Sequence, residues 1–524
     1  MTRIPRLAAW IAAALLTVTA PAAVAQEIEF FTDHPQTAIY FGNHVYLHNL
    51  SAEPLRDLVV ELQLAPGLEF SSPREPSTLG DDWSCERTAT AATCRLTTFA
   101  PERTDLFGFV LVSTDPSGGH RTARATLTAS NLPTPKSVDF DVITDFRQRV
   151  TTADDFGPGS LRAAIEAANA NPLCGTDVPC NIYFNTSLTI APLSPLPAIR
   201  KCHVHLIGPL ELGPKSVIIT GERASHGNGL EVRASCTQNI AGVTIQSIGI
   251  HSWPWNGIYF EAPEAHTHSS SHAVHNCHIG TDPTGSFARP NRSRGIVTDS
   301  PHEVIGVSSS IISGNGRSGI ALFRGKSASI SSCKIGTDIR LGPLPNGASG
   351  VFSAGVPVML HSNVLAYNAH AGLAFTPGTR VFATGPIFSN GGLPIDANID
   401  GRTPDDDEHD GVLNAPRITD AFYNPASNLT TIRGVVRLRA GAFGTVHRII
   451  GHLAFGERGD PAEPLEAEPA MVEPPADGSA GDVAFEMVAA RDLRGNFVSL
   501  QTFAGANRFG ADVVSEVSEG VVVR

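Results

Sequence analysis

Two carboxylates, Asp282 and Asp338, stand at equivalent places in a repeated phrase and are the first candidates for chemistry. Each ends the sequence Ile-Gly-Thr-Asp, at residues 279–282 and 335–338. Carboxylates gathered in one groove could act as general acid and base or hold Ca²⁺. An Asp before a Gly-containing turn commonly accepts hydrogen bonds from its own backbone instead. Because a catalytic residue breaks a repeat whereas these two belong to it, we interpret both as turn residues and keep catalysis as the alternative.

A run of acidic residues between 405 and 410 places several oxygen ligands close together. It includes Asp405, Asp406, Asp407 and Asp410, and Ca²⁺ prefers oxygen ligands. The run lacks the Gly and Glu spacing of an EF-hand loop. The sequence therefore predicts either a calcium site or a solvated acidic loop. It contains no phosphate-binding loop or dinucleotide fingerprint that would point to another cofactor, and no nucleophile elbow.

Trp253 and Trp255 form a third candidate site, for binding a ligand. Exposed indole rings stack on sugar faces, and the proline between these two residues makes the element rigid. Burial of the indoles at the base of a loop is the alternative. If the rings are exposed, the pair predicts a carbohydrate-binding surface.

The elements that must position these residues repeat along the middle of the chain. Phrases related to residues 277–282 begin again at positions 310, 333, 363 and 385, and repeats of roughly 20 to 30 residues are single coils of a solenoid. Each phrase contains short apolar runs separated by Gly, Asn and Ser, which indicates strands and turns. The sequence therefore predicts a right-handed parallel β-helix in which Asn315, Asn368 and Asn390 form a ladder at one turn.

The first residues have the pattern of a signal peptide. Arg3 and Arg6 precede an apolar run over residues 7–18, and residues 23–25 have the small-x-small form that signal peptidase cuts. No later segment reaches the about 18 consecutive apolar residues that cross a bilayer. We expect a mature chain from Gln26 that is secreted or exposed at the cell surface, with no further transmembrane segment.

Eight cysteines in an exported chain predict disulfides. We expect pairs across a hairpin, around a short loop and between early coils: Cys85 with Cys94, Cys174 with Cys180, and Cys202 with Cys236. Cys277 and Cys333 occupy equivalent positions two coils apart, which is about 9.6 Å and exceeds the ~7 Å limit between the Cα atoms of a disulfide. We expect these two to remain buried thiols.

The composition restricts the ligand and the number of domains. The 524 residues carry a formal net charge of −13, and 17% of them are charged. Nucleic acid is disfavoured, because phosphate binding needs basic clusters that the sequence lacks. A polyanionic ligand is also disfavoured unless a local basic groove or a bound cation compensates. The length is sufficient for about three domains.

The pattern along the chain predicts an all-β protein with one short helix. After the signal peptide (residues 1–25), short alternating strands over 26–143 predict a β-sandwich. Residues 144–416 predict the β-helix domain, which begins with a capping helix that has Ser160 as its N-cap. Residues 417–524 predict a second β-sandwich, in which the stretch 459–478, rich in Pro, Glu and Ala, is expected to be a mobile loop.

With these motifs the chain resembles the exported bacterial right-handed β-helix repeat proteins of the pectin-lyase-like superfamily. The resemblance covers roughly half of the chain and rests on Gly159–Ile165, on the two Ile-Gly-Thr-Asp phrases with Pro290-Asn291 and Pro345-Asn346 after them, and on Ser313–Asn315. The superfamily contains pectate and pectin lyases, polygalacturonases, epimerases and adhesins. The resemblance therefore implies a fold and does not select a reaction.

The regular coils favour a non-catalytic protein of adhesion type that binds polysaccharide or another surface. The alternative is a polysaccharide lyase or glycoside hydrolase that acts on an acidic glycan through a groove on the parallel strands. Carboxylates and a basic residue that converge in one cleft would favour the alternative. The sequence does not predict the oligomeric state.

Overall fold

The computed structural model describes residues 28–524 except 33–35, 39–41, 79–81, 185, 211–214, 235, 237–240, 262–269, 401–412, 440–446, 458, 478 and 505–512. The predicted signal peptide therefore lies outside the described residues. The chain divides into two compact units, Met1–Asp115 with His120–Thr144, and Pro116–Gly119 with Asp145–Arg524. No helix in the described part of the chain is long and apolar enough to span a bilayer.

The first unit is a β-sandwich. Its strands, the last two of which include residues of the second unit, are β1 (Ile28–Thr32), β2 (Gln36–Ala38), β3 (Gly42–Asn49), β4 (Leu55–Gln63), β5 (Leu68–Phe70), β6 (Ser77–Thr78), β7 (Ser84–Arg87), β8 (Ala91–Phe99), β9 (Thr104–Ser113), β10 (Ser117–Thr128) and β11 (Lys136–Val150). One sheet has the order β1-β3-β9-β5, and the other contains the order β11-β10-β4-β8-β7.

Alternating side chains of the two sheets form the core of this sandwich. Val45 and Leu47 of β3 and Val60 and Leu62 of β4 are buried in one cluster. Between them on each strand lie residues that are less buried, which is the period-2 pattern of a sheet with one face on a core. The predicted N-terminal β-sandwich fold is confirmed.

A single α-helix, α1 (Leu161–Ala170), precedes the coils. The Ser160 hydroxyl accepts a hydrogen bond from the backbone N–H of Ala163 at 3.2 Å, as an N-cap does. Leu161, Ile165 and Ala168 share one face at helical spacing and join the hydrophobic core of the coils. The predicted capping helix is therefore present.

The coils follow from strands that stack in parallel. In chain order the strands are β12 (Cys180–Phe184), β13 (Leu188–Ile190), β14 (Val204–Ile207), β15 (Val217–Thr220), β16 (Leu230–Val232), β17 (Thr244–Gln246), β18 (Gly249–His251), β19 (Ile258–Phe260), β20 (Ser270–His275), β21 (His278–Ile279), β22 (Ile296–Asp299), β23 (Glu303–Ser308), β24 (Ile311–Ile312), β25 (Ile320–Arg324), β26 (Ser327–Ser331), β27 (Lys334–Ile335), β28 (Val351–Ser353), β29 (Val358–His361), β30 (Val364–Ala366), β31 (Leu373–Phe375), β32 (Val381–Ala383), β33 (Ile387–Phe388) and β34 (Ile395–Ala397).

These strands form three parallel sheets around one core. Sheet I contains β12, β14, β17, β20, β23, β26, β29 and β32; sheet II contains β13, β15, β18, β21, β24, β27, β30 and β33; sheet III contains β16, β19, β22, β25, β28, β31 and β34. Residues of the same type stack on one another in successive coils. For example, Ile258, Ile296 and Ile320 pair in register in sheet III. The predicted parallel β-helix is confirmed, and crossovers between parallel strands take the right-handed path in almost all proteins.

An asparagine ladder runs along the turn between sheets II and III. Its members are Asn291, Asn315, Asn346, Asn368 and Asn390. The amide nitrogen of each of the first four donates to the amide oxygen one coil further on, at 3.0, 3.0, 2.9 and 2.9 Å. The ladder predicted at three of these positions is therefore confirmed and extends over five coils. Only a side chain that both donates and accepts can satisfy the coils on both sides.

The structure pairs six of the eight cysteines in disulfides. Cys85–Cys94, Cys174–Cys180 and Cys202–Cys236 have Cα separations of 4.0, 5.6 and 5.4 Å. Cys277 and Cys333 are buried thiols, and burial raises their pKa to about 11 and about 12. Disulfides persist in oxidising compartments, which agrees with an extracellular or other oxidising environment.

The C-terminal domain is a second sandwich. Its strands are β35 (Arg417–Asn424), β36 (Leu429–Arg439), β37 (His447–Ala454), β38 (Pro461–Pro464), β39 (Ala470–Val472), β40 (Ala480–Ala489), β41 (Phe497–Ala504), β42 (Val513–Val517) and β43 (Val521–Val522). A sheet of β35-β36-β40 shares a core with a sheet of β38-β37-β41-β42. The stretch expected to be a mobile loop instead holds β38 and β39, because both pair with β37 through the backbone.

This domain also closes the C-terminal end of the β-helix. Phe503 of β41 and Val517 of β42 belong to the hydrophobic core of the coils. The Asp460 carboxylate accepts a hydrogen bond from the backbone N–H of Ser389 at 2.8 Å, and the rings of Phe388 and Phe455 lie 4.5 Å apart. The last coil thus meets packed side chains instead of solvent.

Candidate functional site

Asp282 and Asp338 both lie in tight turns. The Asp282 carboxylate accepts backbone N–H bonds from Ser286 and Phe287 at 2.9 Å each, and that of Asp338 accepts from Gly342 at 2.6 Å. Burial alone would raise the pKa of Asp282, but these bonds, with those from Thr284, together hold it below the ordinary value. Both carboxylates therefore stabilise the loops that follow sheet II, and the negative charge of Asp282 also acts on the neighbouring His251 and His278.

The two predicted tryptophans have opposite environments. Trp253 is fully buried in the core of the coils, whereas Trp255 is 52% exposed. The indole N–H of Trp253 donates to the carbonyl of Ile219 at 3.2 Å. We therefore correct the predicted ligand-binding pair to Trp255 alone, because the ring of Trp253 is enclosed by protein.

The predicted calcium ligands Asp405, Asp406, Asp407 and Asp410 lie outside the described residues. Within the described part of the chain, no group of three or more His, Cys, Asp or Glu side chains is placed to hold a metal ion. The calcium site remains a prediction.

The outer face of sheet III gathers functional groups from several coils. Its central row, one residue per coil, consists of Glu231, Tyr259, Val297, Ala321, Phe352, Ala374 and Asp396. The residues before and after each of these point into the core, because side chains alternate along a strand. We call this row and the residues that border it the sheet III face.

An acid–base row borders the sheet III face along the C-terminal ends of its strands. Arg233, Glu261, Asp299 and Arg324 occupy this row in four successive coils. Arg233 pairs with Glu261 at 3.1 Å and with Glu231 of the central row at 2.5 Å. Arg324 pairs with Asp299 at 2.6 Å. Carboxylates and guanidinium groups therefore converge here, on one face.

Tyr259 lies beside this row. Its hydroxyl donates to the Asp299 carboxylate at 3.3 Å. Burial, together with the negative charges of Asp299, Glu261 and Glu231, raises the pKa of Tyr259 to about 12. The phenol is therefore protonated at every physiological pH, and it can serve as a hydrogen-bond or proton donor.

Arg294 and Arg317 border the opposite side of the sheet III face, on consecutive coils. The guanidinium of Arg294 lies 4.8 Å from the ring centroid of Phe323. Burial lowers the pKa of Arg294, and the neighbouring positive charge of Arg317 lowers it further. Among the ion pairs of the described residues, neither arginine has a carboxylate partner. We call Arg294, Arg317 and Phe323 the anion seat.

Phe323 reaches the anion seat through a β-bulge. Strands β22 and β25 pair in register up to Thr298 with Leu322, and the next pair is Asp299 with Arg324, so that Phe323 is the extra residue. A bulge re-aims side chains and is common next to binding and active sites. Here it presents the aromatic ring to Arg294 and keeps Arg324 beside Asp299.

Neither the acid–base row nor the anion seat was predicted from the sequence. Their members are separated by tens of residues and form no local motif, because each coil contributes only one or two of them. Aligning the coils on the Asn ladder would have placed Arg317 opposite Ser293, one residue from Arg294, at the start of two successive sheet III strands.

Comparisons with known proteins add little to this geometry. No family model matches the chain, and no curated protein matches it. Among solved structures, the A-module of the mannuronan C-5 epimerase AlgE4 from Azotobacter vinelandii is 13% identical over 48% of this chain and 92% of that chain, with a TM-score of 0.22. AvmM, which catalyses macrocyclization in alchivemycin A biosynthesis, is 10% identical over 23% of this chain and 89% of that chain, with a TM-score of 0.16. At these scores neither similarity carries an argument about this chain.

Proposed function

We propose that the sheet III face binds an acidic polysaccharide. The observation that carries the proposal is the anion seat. Arg294 and Arg317 lie on consecutive coils, and the charge of Arg317 lowers the pKa of Arg294. Neither has a carboxylate partner among the described residues, in a protein whose net charge is −13. Like charges held together are unfavourable unless an anion joins them, so the pair is suited to a carboxylate or sulfate group of a ligand. The anion seat would supply the local positive charge that the acidic composition requires for such a ligand.

The rest of the face is suited to sugars. Phe323, Phe352 and Tyr259 offer aromatic surface to the apolar faces of pyranose rings. The paired charges of the acid–base row can hydrogen-bond to hydroxyl groups. Because equivalent positions recur coil after coil, the face matches a ligand that is itself a chain of repeating units.

Replacing both arginines tests this proposal. The double variant Arg294→Gln/Arg317→Gln is expected to bind polygalacturonate, alginate or chondroitin sulfate at least about tenfold more weakly than the wild type, since each lost charge-assisted contact contributes about 1.5–3 kcal/mol. Calorimetric titration and co-sedimentation measure the loss, and added salt should weaken wild-type binding.

Arg340→Gln is the matched control, because Arg340 is equally charged but lies exposed on a loop over sheet II. It should bind as the wild type does. The affinity for neutral dextran should be the same in the wild type and in the double variant. Unchanged affinity of the double variant for every acidic glycan would refute the proposed site.

The second candidate function is turnover of the same ligand. Tyr259 favours it, because its phenol hydrogen-bonds to the Asp299 carboxylate, so that a proton donor and a proton acceptor lie together on the sheet III face. If the protein is a lyase or hydrolase, wild type releases unsaturated or reducing ends from an acidic glycan. Tyr259→Phe should then lower that rate about 100-fold or more and change affinity less than threefold.

Two results distinguish binding from turnover. Binding without new chain ends supports the binding function alone, and a Tyr259→Phe variant with full activity excludes Tyr259 as the proton donor. Asp282→Ala serves as the control for a carboxylate in a turn: it should change stability and leave the rate unaffected.

A further inference from the structure

The corner that carries Trp255 is rigid. Trp253 fills a closed site in which its backbone N–H donates to the amide oxygen of Asn291 at 3.1 Å, at the start of the Asn ladder. Gly221 and Gly229 make room for the indole, since a Cβ at either position would lie within 3.0 Å of Trp253. The enclosed Trp253 therefore fixes the backbone at this corner, and the ring of Pro254 restricts the backbone torsions between Trp253 and Trp255 further.

Trp255 is held from both sides while its ring stays in solvent. Its backbone N–H donates to the carbonyl of Gly227 at 3.2 Å, and the backbone N–H of Asn256 donates to the amide oxygen of Asn228 at 3.1 Å. The ring centroid lies 6.3 Å from that of His226 in an edge-on arrangement. The exposure of the indole is thus imposed by the backbone, so little conformational entropy is lost when a ligand covers it.

Trp255 belongs to the same border of the sheet III face as the anion seat. The backbone N–H of Ser293 donates to the carbonyl of Trp255 at 2.9 Å, and that of Arg317 donates to the carbonyl of Ser293 at 2.8 Å. Trp255, Ser293 and Arg317 therefore occupy equivalent positions in three successive coils. With a coil spacing of about 4.8 Å, the backbones of Trp255 and Arg317 are about 10 Å apart along the solenoid.

We propose that Trp255, with His226 at its edge, is a sugar-stacking subsite on the border of the sheet III face and sets the minimum length of the ligand. This inference rests on the proposed function. A pyranose unit in an extended chain advances by about one coil, so a ligand seated on Arg317 reaches the indole only when it has three or more units. Shorter ligands are held by the anion seat alone.

Oligogalacturonates of two to six units test the inference. Wild-type affinity is expected to rise about tenfold between two and four units, because stacking on an indole adds up to about 1.5 kcal/mol. Trp255→Ala should remove that rise and leave the affinity for the dimer unchanged. Trp255→Phe, which keeps an aromatic ring, should retain most of the rise.

Quenching of fluorescence by acrylamide gives a readout independent of affinity. Trp83 and Trp253 are buried, so the quenchable indole of the described chain is Trp255. The tetramer should protect it and the dimer should not. The proposed subsite is wrong if Trp255→Ala keeps the wild-type dependence of affinity on ligand length. It is also wrong if acrylamide still quenches Trp255 in the presence of saturating tetramer.

The two proposals fail in different ways. If the arginine double variant binds all lengths normally, the proposed function is wrong. If that variant loses binding at all lengths while Trp255→Ala behaves as the wild type does, the anion seat stands and only the stacking subsite is wrong.

Discussion

Asn346→Ala is expected to lower the free energy of unfolding by about 3–5 kcal/mol. The amide of Asn346 lies at the centre of the ladder and is fully buried. Its oxygen accepts from the backbone and side-chain nitrogens of Asn315 at 3.1 and 3.0 Å, and its nitrogen donates to Ile312 and Asn368 at 2.9 Å each. Alanine leaves these buried groups without partners, and each such group costs about 1–3 kcal/mol.

Urea denaturation followed by circular dichroism measures this loss. Asn256→Ala is the matched control, because Asn256 pairs with Asn228 in a similar way but is only half-buried, so that water can replace the lost bonds. The control should lose less than about 1.5 kcal/mol. Equal losses in both variants would show that burial of the ladder does not determine its contribution.

Acidification from pH 6.5 to pH 4 is expected to destabilise the protein by several kcal/mol. Burial lowers the pKa of His205, His278 and His452 to about 4, against 6.5 in the unfolded chain. The neighbouring His203 adds to this for His205, and Lys215 does so for His278. Below pH 6.5 these histidines bind protons in the unfolded state and stay neutral in the folded state. The stability present at neutral pH is therefore lost as the pH falls towards 4.

The size of this effect follows from the gap between the two pKa values. It corresponds to at most about 3 kcal/mol per histidine. Thermal unfolding between pH 8 and pH 4 measures it. His278→Asn, which keeps a donor near the carbonyl of Pro283, should make the curve shallower, whereas Ile279→Val should lower the curve without changing its slope. A melting temperature that is constant over this range would contradict the prediction.

The sequence was sufficient to predict the features that repeat or that are local. The coil phrases place an Asn at the same turn each time, and the apolar residues between them have strand spacing, which together determine a β-helix. Ser160 and the apolar face of α1 are a local helix signal. Cys85 and Cys94 are close in sequence, and the hairpin of β7 and β8 pairs them directly.

The features that the sequence did not predict depend on contacts between coils. Trp253 and Trp255 are alike in sequence, and only the space left by Gly221 and Gly229 decides that the first is enclosed. Arg294 and Arg317 are 23 residues apart in the chain yet lie on consecutive coils, where the charge of one acts on the other. The pairing of β38 and β39 with β37 likewise depends on the backbone, which overrides a composition that is typical of loops.

The C-terminal sandwich has a consequence for self-association. Each coil of a β-helix is a template for the next, so an open end would accept strands from another copy and could grow as a fibre does. Phe503 and Val517 occupy that end. These two side chains cap the last coil, so that no further coil can be added there. A protein with a fixed number of coils has a sheet III face of fixed length.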